Sequence, residues 1–351
     1  MASSGPGKGI GRRAALFAAA ALPVLSATLV CLSVPAQESS DPLPSWNEGR
    51  AKQAILDLVR ATVGPSTPNY VRPQDRIAVF DQDGTLWVEH PMYTQVVYAL
   101  ARVPAVAAQN PSLKESEPFR TVLSGNQAAT ERLSTAELEK ILSVTMSGMP
   151  VADFEAQAKQ WLATARHPRW KRPYTELVYA PMLEVMRYLR ANAYRTYIVT
   201  GGGQDFVRVY AEEVYGIPPE QVVGTAGVTK YGYDKEGKPF LTNEPKLLLN
   251  DNYAGKVEGI HMMIGRRPYA AFGNSTGDRE MLEWTGAGAG PRLNMLVLHD
   301  DAIREYAYGP ALGLPDSAVG TFTQALFDEA TKDGWTVISM KNDWKRIFAF
   351  E

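Results

Sequence analysis

Two acids set two residues apart, Asp81 and Asp83, follow the apolar run Ile77-Ala78-Val79-Phe80 and precede Gly84-Thr85. A β-branched apolar run reads as a buried strand, and carboxylates at its end are costly unless something offsets their desolvation. A divalent cation does so, and the carboxyl ends of strands in a parallel sheet are where ligand sites form. One carboxylate there can attack phosphorus and form an acyl phosphate. A second, two residues on, can give a proton to a leaving oxygen and later take one from water.

Three further segments carry complementary chemistry. Thr200-Gly201-Gly202 ends the run Thr196–Thr200, where glycines let backbone N–H groups approach phosphate and Thr200 adds a hydroxyl donor. Asn274 through Asp278 follows the run Tyr269–Phe272 and, with Asp81, offers the hard oxygens Mg²⁺ prefers. Lys256 opens a helical pattern between them and can neutralise phosphate charge, with Lys246 as its competitor. An EF-hand loop starting at Asp81 is excluded, because its twelfth position is Met92 rather than Glu.

The elements needed to position these residues alternate. Strand patterns at Arg76–Phe80, Thr196–Thr200, Tyr269–Phe272, Met295–Leu298 and Thr336–Met340 are interleaved with helical ones at Leu183–Leu189, Gln204–Tyr215, Lys256–Ile264 and Arg279–Trp284. Val222–Phe240 reads as a strand and hairpin turning near Asp234–Gly237. The pattern predicts an α/β fold: a doubly wound, mostly parallel, Rossmann-like sheet. The core is expected over 74–88 and 175–351, preceded by a linker and short amphipathic helix over 37–73. Residues 89–174 are helical throughout and too long for a loop, so they are expected to form an inserted small helical cap domain above the strand ends. Within it Thr135–Ser147 and Ala152–Thr164 are helices, with Ser134 or Thr135 and Asp153 as caps.

Taken together, these segments resemble the haloacid dehalogenase superfamily of phosphohydrolases from about Arg76 to the C-terminus. Asp81-Gln82-Asp83-Gly84-Thr85 is similar to the family's nucleophile motif, Val199-Thr200-Gly201-Gly202 to its phosphate-binding motif, and Gly273 through Asp278 to its metal motif. Asn250-Asp251 through Lys256-Val257-Glu258 resembles the lysine region of the phosphoserine-phosphatase-like branch, and a helical insert after the first strand suits that branch. The resemblance implies Asp81 as nucleophile and Asp83 as general acid/base. It implies Thr200, Gly201, Gly202 and Lys256 around the phosphate, and Mg²⁺ held by Asp81, the backbone carbonyl of Asp83, Asn274 and Asp278. Many members have an acid where this chain has Asn274, which leaves the metal one negative charge fewer. An acid near Glu89 can recognise a substrate amine in that branch.

Composition narrows the partners. The 351 residues carry a net charge of −2 with no basic stripe, which argues against nucleic acid and leaves a small phosphorylated substrate. Residues 1–36 read as an export signal: Lys8, Arg12 and Arg13 without an acid, an apolar stretch over Ala14–Val34, then Val34-Pro35-Ala36 for cleavage. The expected location is periplasmic or extracellular, with membrane attachment only if residues 14–34 stay as an anchor. The lone Cys31 lies in this segment, so disulfides and cysteine–zinc chemistry are excluded from a cleaved chain. His90, His167, His261 and His299 lack ligand spacing and read as surface or packing residues, as Trp161, Trp170 and Trp344 read as core or domain-edge aromatics.

The expected function is therefore an exported Mg²⁺-dependent phosphomonoesterase. The same scaffold also admits a dehalogenase or phosphonate hydrolase, although dehalogenation needs neither the metal motif nor the acid/base. A protein that binds a phosphate ligand without turnover is the non-enzymatic alternative.

Overall fold

The strand that carries the acid pair is β1, Ile77–Phe80, and all four of its residues are buried. Its side chains alternate between two cores. Ala78 and Phe80 point into one, with Ile198, Phe272 and Met295, while Ile77 and Val79 point into the other, with Val199, Ala271 and Leu296. Both sheet faces must therefore be covered, which is why the run lacks polar alternation. Phe80 stacks on Phe272 of the neighbouring strand with ring centroids 4.4 Å apart.

The computed structural model describes residues 41–351, which form one compact unit. The expected export segment 1–36 lies outside the described residues. α1 (Arg50–Val63) precedes β1, and five helices follow it: α2 (Thr94–Gln109), α3 (Phe119–Leu123), α4 (Gln127–Thr130), α5 (Thr135–Met146) and α6 (Val151–Thr164). The chain then alternates: α7 (Ala180–Ala191), β2 (Arg195–Gly203), α8 (Gln204–Tyr215), then the hairpin β3 (Val222–Tyr233) and β4 (Pro239–Leu249). α9 (Ala254–Met263), β5 (Ala270–Gly273), α10 (Arg279–Gly286), β6 (Leu293–Leu298), α11 (Gln324–Lys332) and β7 (Thr336–Ser339) complete it.

The sheet order is β4-β3-β2-β1-β5-β6-β7, parallel except for β4. The chain winds outward from β1 to β2 and β3, then crosses back to β5 and outward again. The switch point falls between β1 and β5, so their carboxyl ends flank the crevice where ligands bind in such sheets. Among the described residues no helix is long and apolar enough to cross a membrane.

The helical insert is not isolated from the sheet. Phe154, Ala158 and Leu162 of α6 join the main core with Tyr98 of α2, while Ala99, Val103, Phe119 and Ile141 form a small cluster of their own. Ser134 caps α5 in a reciprocal box with Glu137. The expected Asp153 cap does not form. Pro150 takes the cap position of α6 and starts the helix three residues earlier than Asp153 would require, leaving Asp153 inside the first turn.

Candidate active site

The crevice at the ends of β1, β2 and β5 is built around one ammonium. Lys256, on the first turn of α9, is 2% exposed and donates to Asp81 Oδ1 at 2.5 Å, Asp278 Oδ1 at 2.6 Å and the Val199 carbonyl at 3.0 Å. All three of its N–H donors are spent. Lys246 lies exposed on β4, and it is Lys256 that the fold brings onto Asp81. Burial opposes its charge, but Asp278 and Asp81 outweigh that and push its pKa up.

Asp81 continues the β1–β5 ladder, its N–H donating to the Phe272 carbonyl at 2.8 Å. Its Oδ2 meets only the Thr85 hydroxyl, at 3.4 Å. Burial, then the Asp278 charge, pushes the Asp81 carboxyl up to about 8 against the pull of Lys256. Asp83 is turned by a hydrogen bond from Trp87 Nε1 to Oδ1 at 2.7 Å. Its other oxygen faces Gly202, where an added Cβ would sit 3.7 Å from it. Burial raises the Asp83 carboxyl to about 6. The acids i and i+2 of a strand-end loop thus reach the same crevice with different surroundings.

Thr200 is buried at the end of β2, and its hydroxyl accepts from the Gly202 N–H at 3.0 Å. Gly203 N–H donates to Gln95 Oε1 of α2 at 2.6 Å, so the insert reaches the phosphate-loop candidate directly. A side chain at Gly202 would press on Thr200 Oγ1 and Gln95 Oε1, and one at Gly201 on Asn252. Thr200, Gly201 and Gly202 therefore lie at the crevice, with the N–H of Gly202 and that of the following Gly203 already occupied.

Asp278 sits in a tight turn in which its Oδ2 accepts from the Asn274 and Ser275 N–H groups at 2.9 and 3.0 Å. With Oδ1 on Lys256, both oxygens are engaged, and its evident work is to fix the lysine and the loop. Asn274 lies on the opposite side of Asp81, its Oδ1 accepting from Thr85 Oγ1 at 3.2 Å. Its Nδ2 donates to Glu89 Oε1 at 2.7 Å. Glu89 is 2% exposed, and burial pushes its carboxyl well above the ordinary range despite a hydrogen bond from Tyr308. The structure thus turns Glu89 toward the metal side of the crevice.

Asp81 and Asp278 share Lys256, and Asp83 and Glu89 add two carboxylates to the crevice that no lysine or arginine pairs with among the described residues. Such an excess is relieved by a divalent cation, which changes the local proton affinities. Carboxylate, carbonyl and amide oxygens are the donors Mg²⁺ takes, so the residues fit it. Among the described residues no three acidic or histidine side chains close on one point. The fitting set accordingly mixes Asp81 with the Asp83 carbonyl and the Asn274 amide oxygen.

Several contributors carry no periodic or motif signal. His299 is 2% exposed, and its Nε2 donates to the Gly84 carbonyl at 2.8 Å, while Nδ1 lies 3.1 Å from Glu305 Oε2. It is a packing residue, stacked on Tyr308 with ring centroids 4.3 Å apart, that also braces the nucleophile loop. Asp251, fully buried before α9, is raised to about 7 by burial, and Gly259 leaves room for its carboxylate. Gln95 and Tyr308 contribute only through contacts more than a hundred residues away in the chain. The Asn250-Asp251 dipeptide beside the lysine was the sole visible signal among these.

The haloacid dehalogenase-like hydrolase family model matches residues 78–283. No curated protein matches the sequence. Among solved structures, a functionally unknown protein from Anaerococcus prevotii is 17% identical with a TM-score of 0.45, covering 72% of this chain and 86% of that one. A protein of unknown function from Bordetella pertussis is 15% identical with a TM-score of 0.46, covering 75% and 97%. A substrate-bound phosphoserine phosphatase is 15% identical with a TM-score of 0.33, covering 66% and 90%. The overlaps are too slight to carry any residue's role across.

Proposed function

This chain belongs to the haloacid dehalogenase-like hydrolases, and we propose that within them it is an exported, Mg²⁺-dependent phosphomonoesterase working through an aspartyl phosphate on Asp81. The observation that carries the reading is the division of labour at the strand ends. Asp81 has one oxygen fixed by Lys256 and the other nearly free, and Asp83 stands half-buried beside it, facing the Gly202 side of the crevice.

Asp81 Oδ2 attacks phosphorus while the bond from phosphorus to the ester oxygen breaks. Asp83 gives its proton to that departing oxygen, then takes one from the water that hydrolyses the acyl phosphate. Its elevation to about 6 keeps both protonation states accessible near neutral pH. Thr200 and the Gly201 N–H receive the phosphate oxygens, and the Gly202 N–H joins them by leaving Thr200 Oγ1. Lys256 holds Asp81 in its attacking orientation, and Asp278 holds Lys256. Bound by Asp81, the Asp83 carbonyl and Asn274, Mg²⁺ supplies positive charge for the phosphate and its transition state.

The substrate is a small phosphate ester, and its selection falls to the insert, which reaches the phosphate loop through Gln95. Export rests on the charge and apolar pattern of residues 1–36. Phosphate release from small alkyl and aryl phosphates, with Mg²⁺ and with EDTA, tests the function. Turnover that EDTA abolishes and Mg²⁺ restores supports it, and no release from any monoester contradicts it. A processed N-terminus near Gln37 on material outside the cytoplasm tests the location, and an intact Met1 on cytoplasmic protein contradicts it.

A further inference from the structure

Position 274 carries an amide where an acid would give the metal a second charge, and a carboxylate stands directly behind that amide. Asn274 Nδ2 donates to Glu89 Oε1, and Asn274 Oδ1 faces the other way, toward Thr85 and Asp81. An amide nitrogen cannot ligate a cation, so only one of the two flipped orientations of this side chain serves a metal. A carboxylate at the Nδ2 end selects that orientation.

The Glu89 carboxylate is itself tightly placed. Tyr308 donates to the same Oε1 at 2.7 Å, and no lysine or arginine pairs with Glu89 among the described residues. Gly84 (φ 73°) and Gly320 (φ 64°), from separate loops, close against it, and a Cβ at either would collide with Oε1. Both adopt left-handed backbone that favours glycine. A buried carboxylate without a cation is costly unless a charge nearby compensates it.

We propose that Glu89 and Asn274 act as one carboxylate–amide unit that replaces the missing acid of the Mg²⁺ centre. Asn274 Oδ1 is the ligand, while Glu89 fixes its orientation and returns the negative charge one group further out. Glu89 is thus a positioning residue for the metal and not a reader of a substrate amine. The inference rests on the Mg²⁺ reading above. Its physical parallel is the carboxylate that orients a metal-bound histidine, whose loss costs about 10–100-fold in metal affinity.

The test is Mg²⁺ binding to the purified protein without substrate, by calorimetry and by the Mg²⁺-induced rise in Tm. Glu89→Gln keeps the shape but removes the charge, and should weaken Mg²⁺ by about 10–100-fold. Asn274→Asp alone sets two carboxylates in contact and should lower the Tm of the metal-free protein. The exchanged pair, Glu89→Gln with Asn274→Asp, puts the acid at 274 and the amide behind it. It should restore Mg²⁺ affinity close to wild type, a rescue that a purely structural role for Glu89 would not give. The exchanged pair also keeps one acid against one amide, so it remains informative if Glu89→Gln does not fold. Unchanged affinity in Glu89→Gln, or a folded exchanged pair that binds no better than it, overturns the assignment. Wild-type protein that binds no Mg²⁺ overturns the metal centre itself, and the assignment with it.

Discussion

Around Asp81 the protein buries charge, whereas across residues 94–164 it buries mainly single apolar stripes. At the strand ends Asp81, Glu89, Lys256, Asn274 and Asp278 are all nearly inaccessible, and each is fixed by partners from other elements. In the insert the separate cluster has only Ala99, Val103, Phe119 and Ile141 fully buried, and the helices rely on local devices such as the Ser134–Glu137 box. The first arrangement suits chemistry, because a charge held by several partners cannot relax away from the reacting atom. The second suits selection, because lightly buried helices open at lower free energy than the sheet. Gln95 joins the two regions.

If that division is right, changes at the strand ends should act on rate and changes in the insert on affinity. The largest effect falls on Asp81→Asn, which cannot form an acyl phosphate. Steady-state assays should show every monoester losing roughly 10⁴-fold or more in kcat, as removal of a catalytic nucleophile does elsewhere. Phe119→Ala empties the small cluster and should cost the insert about 3–5 kcal/mol. Hydrogen exchange should then show α2, α3 and α5 opening while β1 amides stay protected. Equal loss of protection in β1 would show that insert and sheet open as one unit.

Gln95→Ala should act more mildly. It removes one hydrogen bond to Gly203, about 0.5–1.5 kcal/mol, so KM for a phosphate ester should rise by roughly 2–12-fold with little change in kcat. A fall in kcat as large as that of a strand-end variant would erase the distinction between the two regions.

The smallest effect is electrostatic. Asp81 and Asp83 are raised in the folded protein to about 8 and about 6, so their burial carries no penalty below the ordinary carboxylate range. The penalty grows from that range up to those values and levels off above them, because the unfolded chain gives up its protons first. In EDTA, Tm should fall as pH rises from about 4, most steeply up to about 6 where both acids contribute, then more gently to about 8, and Asp81→Asn should flatten the part between about 6 and about 8. A Tm that rises over the same interval would contradict the buried-carboxylate account.

Legibility in the sequence follows the same division. Asp81, Asp83, Thr200 and the 274–278 loop were readable because each ends an apolar strand, where a polar residue needs a reason. The hairpin turn at Asp234–Gly237 was readable because Asp and Gly are fit for it, and Gly237 has φ 79°. Lys256 and Lys246 both open after polar loops, and only the fold brings one of them onto Asp81. Glu89 was visible as an acid near the nucleophile, but its partner Asn274 is 185 residues distant. Tyr308, His299 and Gly320 come from irregular loops after β6, where neither period nor motif marks a side chain. Asp153 is a polar residue near a helix start and so reads as a cap, but Pro150 sets that start.

The central claim is that Asp81 takes the phosphoryl group and Asp83 moves the proton. It is tested most directly in Asp83→Asn mixed with nitrophenyl phosphate and Mg²⁺. Nitrophenolate leaves without a proton, so the first step survives, while hydrolysis of the acyl phosphate loses its base, an effect of roughly 10²–10⁴-fold. The account predicts a burst of nitrophenolate near one equivalent of enzyme, with peptide mapping by mass finding one phosphoryl group on Asp81. No burst, equal loss for alkyl and nitrophenyl esters, or a phosphoryl group on any other residue would contradict it.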